Sequence, residues 1–209
     1  MSESTNRCPS SSRTDAMDRF WAEWREEMRQ SRLSKAGISK ACHDATIASC
    51  DPLVAEYVTD HMGAGESLFI TGPTRAGKTW AASAIVLFAI NAGREARLIT
   101  WQDLLDKVRE CFDPAVVEYY SSIDLLAIDD LGREVPTDFA VSKLFQIVDK
   151  RVSNLRPTIF TTTYDEQGLY KRLASRDADP ETCKCIVSRI CGASMKLELE
   201  GAKGRGYDG

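Results

Sequence analysis

The segment that decides the fold reads Gly72-Pro73-Thr74-Arg75-Ala76-Gly77-Lys78-Thr79. It follows a short apolar run at residues 67–70 and leads into an apolar helix predicted from Lys78 to about Asn91. In this G-x-x-x-x-G-K-T pattern the glycines let successive backbone N–H groups point inward, where they and the helix N-terminus cradle phosphates. Lys78 is predicted to reach the β- and γ-phosphates of a nucleotide, and Thr79 to ligate Mg²⁺. The strand before the loop and the helix after it argue against a chance match.

A second apolar run, residues 125–128, ends in two acidic residues, Asp129 and Asp130. Such a strand places carboxylates at the edge of a parallel sheet where ligands bind. We expect Asp129 to hold Mg²⁺ and Asp130 to polarise an attacking water molecule. The alternative is a solvated turn, since Asp-Asp-x-Gly also suits turns. The position one strand unit after a phosphate loop favours the functional interpretation.

A run of threonines, Thr161-Thr162-Thr163, ends the strand predicted at residues 157–162. A polar residue there could sense the γ-phosphate or orient water. Threonine is also at home in strands, so the residues alone favour ordinary β-propensity as the explanation.

Strands and helices alternate along the chain. Further strands are predicted at 96–101 and 195–200, the last as an edge strand because its apolar residues alternate strictly. Helices are predicted at 78–91, 102–112, 114–120 and 137–153, with one or two more at 165–191. The pattern predicts an α/β fold with a parallel sheet covered on both faces.

The region before the sheet is predicted to have two parts: a disordered tail at 1–13 and a helical segment at 14–50, before an ATPase domain at 51–209. Short helices are expected at about 38–50 and 52–58. Met17, Trp21, Trp24 and Met28 fall at helical spacing. This stripe either docks a partner, since Trp and Met are favoured at interfaces, or packs on the protein's own ATPase domain. Because the predicted strands lie beyond Glu66, residues 1–50 are expected to be dispensable for folding.

Composition narrows the class of protein. The 209 residues are 43% apolar, which suits a folded domain, and the net charge of −4 argues against a wholly basic nucleic-acid binder. No secretion signal or membrane span is apparent, so a cytoplasmic location is expected. The seven cysteines are interpreted as reduced thiols, with zinc as the less favoured alternative. The two sets considered for zinc are Cys8, Cys42, His43, Cys50 and Cys183, Cys185, Cys191.

Together these motifs resemble the DnaC/IstB-type AAA+ ATPases, which are bacterial or phage replicative helicase loaders and helper ATPases of some transposons. The resemblance covers about residues 55–205, and four segments occur in the family's order. They are the phosphate loop, LLAIDDLG (125–132), RPTIFTTTY (156–164) and IVSRI (186–190). The resemblance implies a P-loop NTPase of the AAA+ type with a five-stranded parallel sheet between helices. It also implies no long helical lid and a small helical N-terminal extension.

Two residue roles follow from the resemblance. Thr163 stands where these proteins usually have Asn as a γ-phosphate sensor, and a hydroxyl offers fewer hydrogen-bonding groups than an amide. Arg189 matches the family's arginine finger, which would act on the ATP of a neighbouring subunit. Without the resemblance, Arg189 would be interpreted as an exposed helix arginine.

The leading hypothesis is therefore a Mg²⁺-dependent ATPase that self-associates and delivers a replicative helicase to single-stranded DNA. A transposition helper ATPase of the same family is the alternative, and a P-loop small-molecule kinase is the second alternative. The Asp-Asp strand end and the Ser-Arg-Ile helix speak against the kinase. Four basic residues, which are either a DNA-tracking groove or a solvated helix face, are Lys143, Lys150, Arg151 and Arg156.

Overall fold

One sheet of five parallel strands forms the centre of the protein. The strands are β1 (Ser67–Thr71), β2 (Ala96–Thr100), β3 (Leu125–Asp129), β4 (Thr158–Thr162) and β5 (Ser194–Glu198). Their order across the sheet is β2-β3-β4-β1-β5. This computed structural model describes residues 11–110, 114–133, 137–174 and 178–201. The predicted five-stranded parallel sheet is confirmed, with β5 at an edge beside β1.

Helices cover both faces of this sheet. They are α1 (Ser11–Lys35), α2 (Pro52–Glu56), α3 (Lys78–Asn91), α4 (Trp101–Glu110), α5 (Pro114–Ser122), α6 (Asp138–Ser153), α7 (Glu166–Leu173) and α8 (Pro180–Gly192). One face packs against α3 and the segment before β1, and the other against α4 to α8. Successive strand residues alternate between the two layers, so Leu68 and Ile70 of β1 face α3 while Phe69 faces the other helices. Both layers are apolar, which explains why the strands read as continuous apolar runs.

The helices after the phosphate loop lie close to their predicted positions. Thr137 caps α6 by accepting a hydrogen bond from the Ala140 N–H at 3.3 Å. The region 165–191 holds two helices, and the carboxylates of Asp165 and Asp179 cap them. Phe112, the predicted end of the helix at 102–112, lies outside the described residues.

The prediction of one helix over residues 38–50 is wrong. Two short 3₁₀ turns occupy this stretch, Lys40–Cys42 and Ile47–Ser49. Gly37 ends α1 with φ +79°, and the Ala36 carbonyl accepts a hydrogen bond from Leu98 N–H at 2.7 Å. Pairing with the backbone of β2 thus holds the chain where a helix would otherwise continue. The helix α1 begins at Ser11, and residues 1–10 of the predicted tail lie outside the described residues.

The segment before α2 contributes side chains to the core. Five of its residues are less than 10% exposed and belong to the α3 layer: Leu33, Ala36, Ile38, Cys42 and Ala45. This burial argues against the expectation that residues 1–50 are dispensable, since their removal would expose apolar surface of α3. The exposed stripe is confined to residues 17–28, and the domain boundary at 50/51 stays a prediction.

Arg151 is buried, with 1% of its surface exposed, so it cannot contact DNA as part of a basic groove. Its guanidinium donates to the carbonyl oxygens of Tyr120, Ile123 and Pro157 at 2.7–2.9 Å and to Thr158 Oγ1 at 2.8 Å. Burial lowers the pKa of Arg151 to about 9. The side chain instead ties α6 to the chain around the starts of β3 and β4, and the sequence-based hypothesis is wrong for this residue.

Candidate active site

The loop at residues 72–77 joins β1 to α3 at the carboxyl edge of the sheet. Gly72 has φ +145°, and a Cβ there would collide with the carbonyl oxygen of Leu199, so glycine is required. Gly77 has φ +93° and immediately precedes the first residue of α3. The predicted strand, loop and helix context of the G-x-x-x-x-G-K-T segment is therefore present.

Lys78 is held inside this loop. Its Nζ donates to the carbonyl oxygens of Gly72 and Pro73 at 2.9 and 2.8 Å, and the residue is 6% exposed. Burial lowers the pKa of Lys78, while the nearby carboxylates of Asp130 and Asp129 act in the opposite direction. The ammonium group is thus positioned at the loop by backbone carbonyl oxygens.

Thr79 and Asp129 form an oxygen-rich pair beside the loop. Thr79 Oγ1 lies 3.1 and 2.9 Å from the two carboxylate oxygens of Asp129. Thr161 of β4 also donates its hydroxyl hydrogen to Asp129. Burial raises the pKa of Asp129, and the hydrogen bonds from Thr161 and Thr79 oppose that shift. Hydroxyl and carboxylate oxygens are the ligands that Mg²⁺ prefers, and a bound cation would favour the charged carboxylate, so the pair fits this metal.

Asp130 lies at a sharp turn after β3. Its φ of +56° is unusual for a residue with a side chain, and its N–H donates to Thr161 Oγ1 at 3.0 Å. The Asp130 carboxylate is ion-paired with Arg133 at 3.0 Å. Arg172 of α7 donates to the carbonyl oxygens of Gly132 and Arg133 at 2.8 and 2.6 Å. These contacts fix the turn, so Asp129 and Asp130 have different surroundings: the first is buried and the second faces the cleft.

A cleft of about 520 Å³ brings together several of the predicted residues, among them Lys78, Thr79, Asp130 and Thr163. Its lining residues are Thr74, Arg75, Gly77, Lys78, Thr79, Trp80, Asp130, Leu131, Arg133, Thr163 and Tyr164. Thr163 therefore faces the same cleft as the phosphate loop, as its interpretation as a sensor requires. The volume is within the usual range for small-molecule sites.

Several functional contacts were not expected from the sequence. Thr161 was seen as part of a β-prone run, yet its hydroxyl joins Asp129 and the backbone of Asp130. Arg133 supplies a cation to the cleft although no motif singled it out, whereas Arg75, which also lines the cleft, belongs to the predicted phosphate loop. The sequence alone could not distinguish Thr161 from the adjacent threonines, because the groups that its hydroxyl contacts, at Asp129 and Asp130, lie on a different segment of the chain.

Arg189 lies apart from this cleft. In the part of the chain that the structure describes, it is not one of the cleft-lining residues. Its guanidinium on α8 makes an ion pair of 2.9 Å with Asp149 of α6, and it lies 5.4 Å from the centroid of the Phe145 ring. About 39% of the side chain is exposed, so an approaching molecule could reach it.

Within the described ranges, no three histidine, cysteine or acidic side chains come together as ligands for a metal ion. Cys8, which belongs to one of the two sets considered for zinc, lies outside those ranges. None of the helices that the structure describes combines the length and apolar character needed to cross a bilayer.

Solved structures share this architecture at low sequence identity. The crystal structure of DnaI has a TM-score of 0.67 and 18% identity, covering 78% of this chain and 94% of that chain. The crystal structure of the DnaC helicase loader has a TM-score of 0.66 and 20% identity, covering 77% and 99%. At this level of identity these likenesses concern the fold alone, and they confirm the predicted α/β fold with its five-stranded parallel sheet between helices.

Proteins with similar sequences agree with the resemblance to the DnaC/IstB-type family. The replicative helicase loader DnaC of Escherichia coli (strain K12) is 28% identical over 130 residues, or 59% of this chain and 53% of that protein. The chain thus matches only about half the length of this relative. The insertion sequence IS1162 ATP-binding protein of Pseudomonas fluorescens is 27% identical over 152 residues, covering 66% and 65%. The model of the IstB-like ATP binding protein family matches residues 19–206. With most of its length matched and the phosphate loop, acidic strand end and cleft in place, the chain belongs to the IstB-like ATP binding protein family.

Proposed function

We propose that this protein binds ATP with Mg²⁺ in the cleft and hydrolyses it. The observation that carries the proposal is the convergence of Lys78, Thr79 and Asp129 at the carboxyl edge of the sheet. Lys78 would exchange its carbonyl acceptors for phosphate oxygens, while Thr79 and Asp129 would hold Mg²⁺. The metal, when bound, neutralises charge that develops on the phosphates.

Asp130 and Thr163 are proposed to act on the water that attacks the γ-phosphate. Both line the cleft, and the left-handed backbone of Asp130 turns the chain directly after Asp129. A carboxylate in that place can accept a proton from water, and a hydroxyl can orient it. Arg133 holds Asp130 at 3.0 Å, so its charge competes with that role until the cleft is filled.

We further propose that ATP turnover drives delivery of a replicative helicase to single-stranded DNA. Support comes from the DnaC relatives and from the exposed apolar stripe on α1, which is Met17, Trp21, Trp24 and Met28, together with the adjacent exposed side chain of Phe20. Each of these side chains is at least 41% exposed. Rings of Phe20, Trp21 and Trp24 touch edge to face, giving a continuous aromatic surface. Such exposed aromatic patches mark protein interfaces.

The stripe gives the first test. The double variant Trp21→Ala, Trp24→Ala is expected to weaken capture of the host's replicative helicase by at least about tenfold, because buried tryptophans dominate interface energies. ATP affinity and the thermal melt should be unchanged, since neither side chain is in the core. The measurement is a pull-down with purified hexameric helicase, titrated to give an affinity. Phe139→Ala, which removes a similarly exposed ring on α6, is the control. Equal capture by both variants and the wild type would remove the docking role from α1.

Single-stranded DNA is the proposed nucleic-acid partner. Of the basic residues considered, Lys150 is paired with Glu118 at 2.6 Å and Arg156 with Asp124 at 3.7 Å. Each pair is exposed and weak, so DNA phosphates could replace the acidic partners. Subunits that assemble around DNA would place several of these basic side chains along one strand.

A transposition helper ATPase is the second candidate. The IS1162 relative favours it, because that alignment covers 66% of this chain and 65% of that protein, more than the DnaC alignments do. Capture of a transposase in place of the helicase would identify this function. Membership of the family argues against the small-molecule kinase.

A further inference from the structure

Trp80 occupies a distinctive place in the cleft. It lies two residues after Lys78 in the first turn of α3, half-buried, and it lines the cleft beside Thr79. The phosphate-binding loop and the acidic pair account for the polar lining of the cleft. An indole ring at its margin has no part in holding phosphates, and it offers a flat apolar surface.

The indole is held in one orientation by the segment before α2. Trp80 Nε1 donates to Ser49 Oγ at 2.8 Å. Ser49 is itself fixed, because its hydroxyl donates to the Thr46 carbonyl at 2.7 Å and accepts from the Thr46 N–H at 3.2 Å. Ile47 and Cys50 pack against the same core layer as the indole. The turn at Thr46–Cys50 therefore forms the outer support of this side of the cleft.

Tyr164 is the other aromatic residue in the described lining of the cleft, and it borders a different segment of the chain. Tyr164 follows Thr163 after β4. Its ring lies close to Gly132, in the turn that carries Asp130, since a Cβ added to Gly132 would be 3.3 Å from the ring. That side is where the attacking water is proposed to sit. Trp80 lies instead beyond Thr79, against the N-terminal segment. The two aromatic residues thus contact different segments: Trp80 contacts Ser49 in the segment before α2, and Tyr164 lies near Gly132 in the turn after β3.

We propose that Trp80 contacts the nucleoside part of the bound nucleotide, and that Ser49 is a positioning residue acting through the indole N–H. The inference rests on the proposed function, since it assigns the nucleoside end of the same cleft. Stacking of a base or ribose on the indole supplies affinity that triphosphate alone cannot gain. The segment at 46–50 then belongs to the nucleotide site as well as to the core.

The test compares ATP with inorganic tripolyphosphate, which has the phosphates and no nucleoside. Both are titrated with Mg²⁺ against the full chain, by displacement of a fluorescent ATP analogue. Trp80→Ala is expected to weaken ATP by about tenfold, as for an aromatic side chain lost beneath a base, and to leave tripolyphosphate unchanged. Tyr164→Ala should not produce this nucleoside-specific loss. Thermal melts report folding, and Trp80→Phe keeps a ring if the alanine variant does not fold.

Ser49 is tested by a double-mutant cycle. Ser49→Ala is expected to weaken ATP by about threefold in the wild-type chain, because one hydrogen bond that orients the indole is lost. It should have no further effect in Trp80→Phe, which lacks the N–H, and Ser49→Thr should restore affinity. Ser122→Ala, which removes an exposed hydroxyl on α5, is the control.

The outcomes separate the two proposals. Both proposals stand if Lys78→Ala lowers the affinity for ATP and for tripolyphosphate while Trp80→Ala lowers the affinity for ATP alone. Equal loss of ATP and tripolyphosphate in Trp80→Ala, no loss of either, or a nucleoside-specific loss in Tyr164→Ala instead overturns the role of Trp80. An additive effect of Ser49→Ala in Trp80→Phe overturns the role of Ser49. A wild-type chain that binds neither ligand overturns the proposed function and the inference with it.

Discussion

Replacing Arg189 with alanine is expected to lower ATP turnover by about 10³- to 10⁵-fold while ATP binding is retained, if Arg189 completes the site of a neighbouring subunit. Arg189 is partly exposed on α8 and is absent from the described lining of its own cleft. Its ion pair with Asp149 is too exposed to hold it strongly, so an incoming triphosphate can compete for the guanidinium. An arginine placed on the γ-phosphate by assembly would make turnover depend on contact between subunits.

The measurement is a mixing experiment. Lys78→Ala and Arg189→Ala should each be inactive alone, and together they should regain part of the activity. Some interfaces of the mixture then pair an intact phosphate loop with an intact Arg189. Asp130→Asn is the matched control, because Asp130 lines the cleft of its own chain. A mixture of Lys78→Ala with Asp130→Asn leaves every site defective and should stay inactive.

Two results would contradict the trans role. One is a Lys78→Ala and Arg189→Ala mixture that stays inactive although the proteins demonstrably co-assemble. The other is activity per subunit that does not change with protein concentration. Arg189→Lys adds a further check, because lysine keeps the charge but loses the planar fork that matches phosphate oxygens.

Asp130→Asn is expected to reduce ATP hydrolysis by about 10²-fold or more with near-normal ATP binding. The amide keeps the size of the side chain but cannot accept a proton from the attacking water. The backbone of residue 130 is left-handed at φ +56°, and asparagine tolerates that region well, so the turn should survive. A loss of ATP hydrolysis in this variant would therefore reflect the chemical step and not a folding defect.

Single-turnover hydrolysis and nucleotide titration separate the two steps for this variant. Asp124→Asn, which neutralises an exposed aspartate paired with Arg156 at the other end of β3, is the control. Unchanged hydrolysis in Asp130→Asn would mean that Asp130 serves only the turn and its ion pair with Arg133.

The sequence predicted the features that depend on local pattern. The loop at 72–79 is recognisable because its glycines, lysine and threonine are consecutive, and the apolar runs on either side identify a strand and a helix. Asp129 was found for a related reason, since it ends an apolar strand at the sheet edge where ligands bind. The parallel sheet followed from alternating strands and helices.

Contacts between distant segments could not be predicted in this way. The hydrogen bond of Thr161 to Asp129 crosses from β4 to β3, and Trp80 meets Ser49 across 31 positions. The sequence suggested that Arg151 is a surface residue, because its acceptors are backbone carbonyl oxygens, which every residue has and no sequence pattern identifies. The stretch at 38–50 has helical spacing, but pairing of Ala36 with Leu98 overrides local preference.

The most direct test of the central claim is an ATP·Mg²⁺ titration of the wild type and Lys78→Ala, alongside thermal melts. ATP affinity is expected to fall by at least about tenfold in the variant, because charged hydrogen bonds to phosphate are lost. The melt should stay cooperative, and Lys107→Ala, which removes an exposed lysine of α4, should bind ATP normally. An unchanged ATP affinity in a folded Lys78→Ala protein would mean that Lys78 does not bind the phosphates and that the nucleotide does not bind at this loop as proposed.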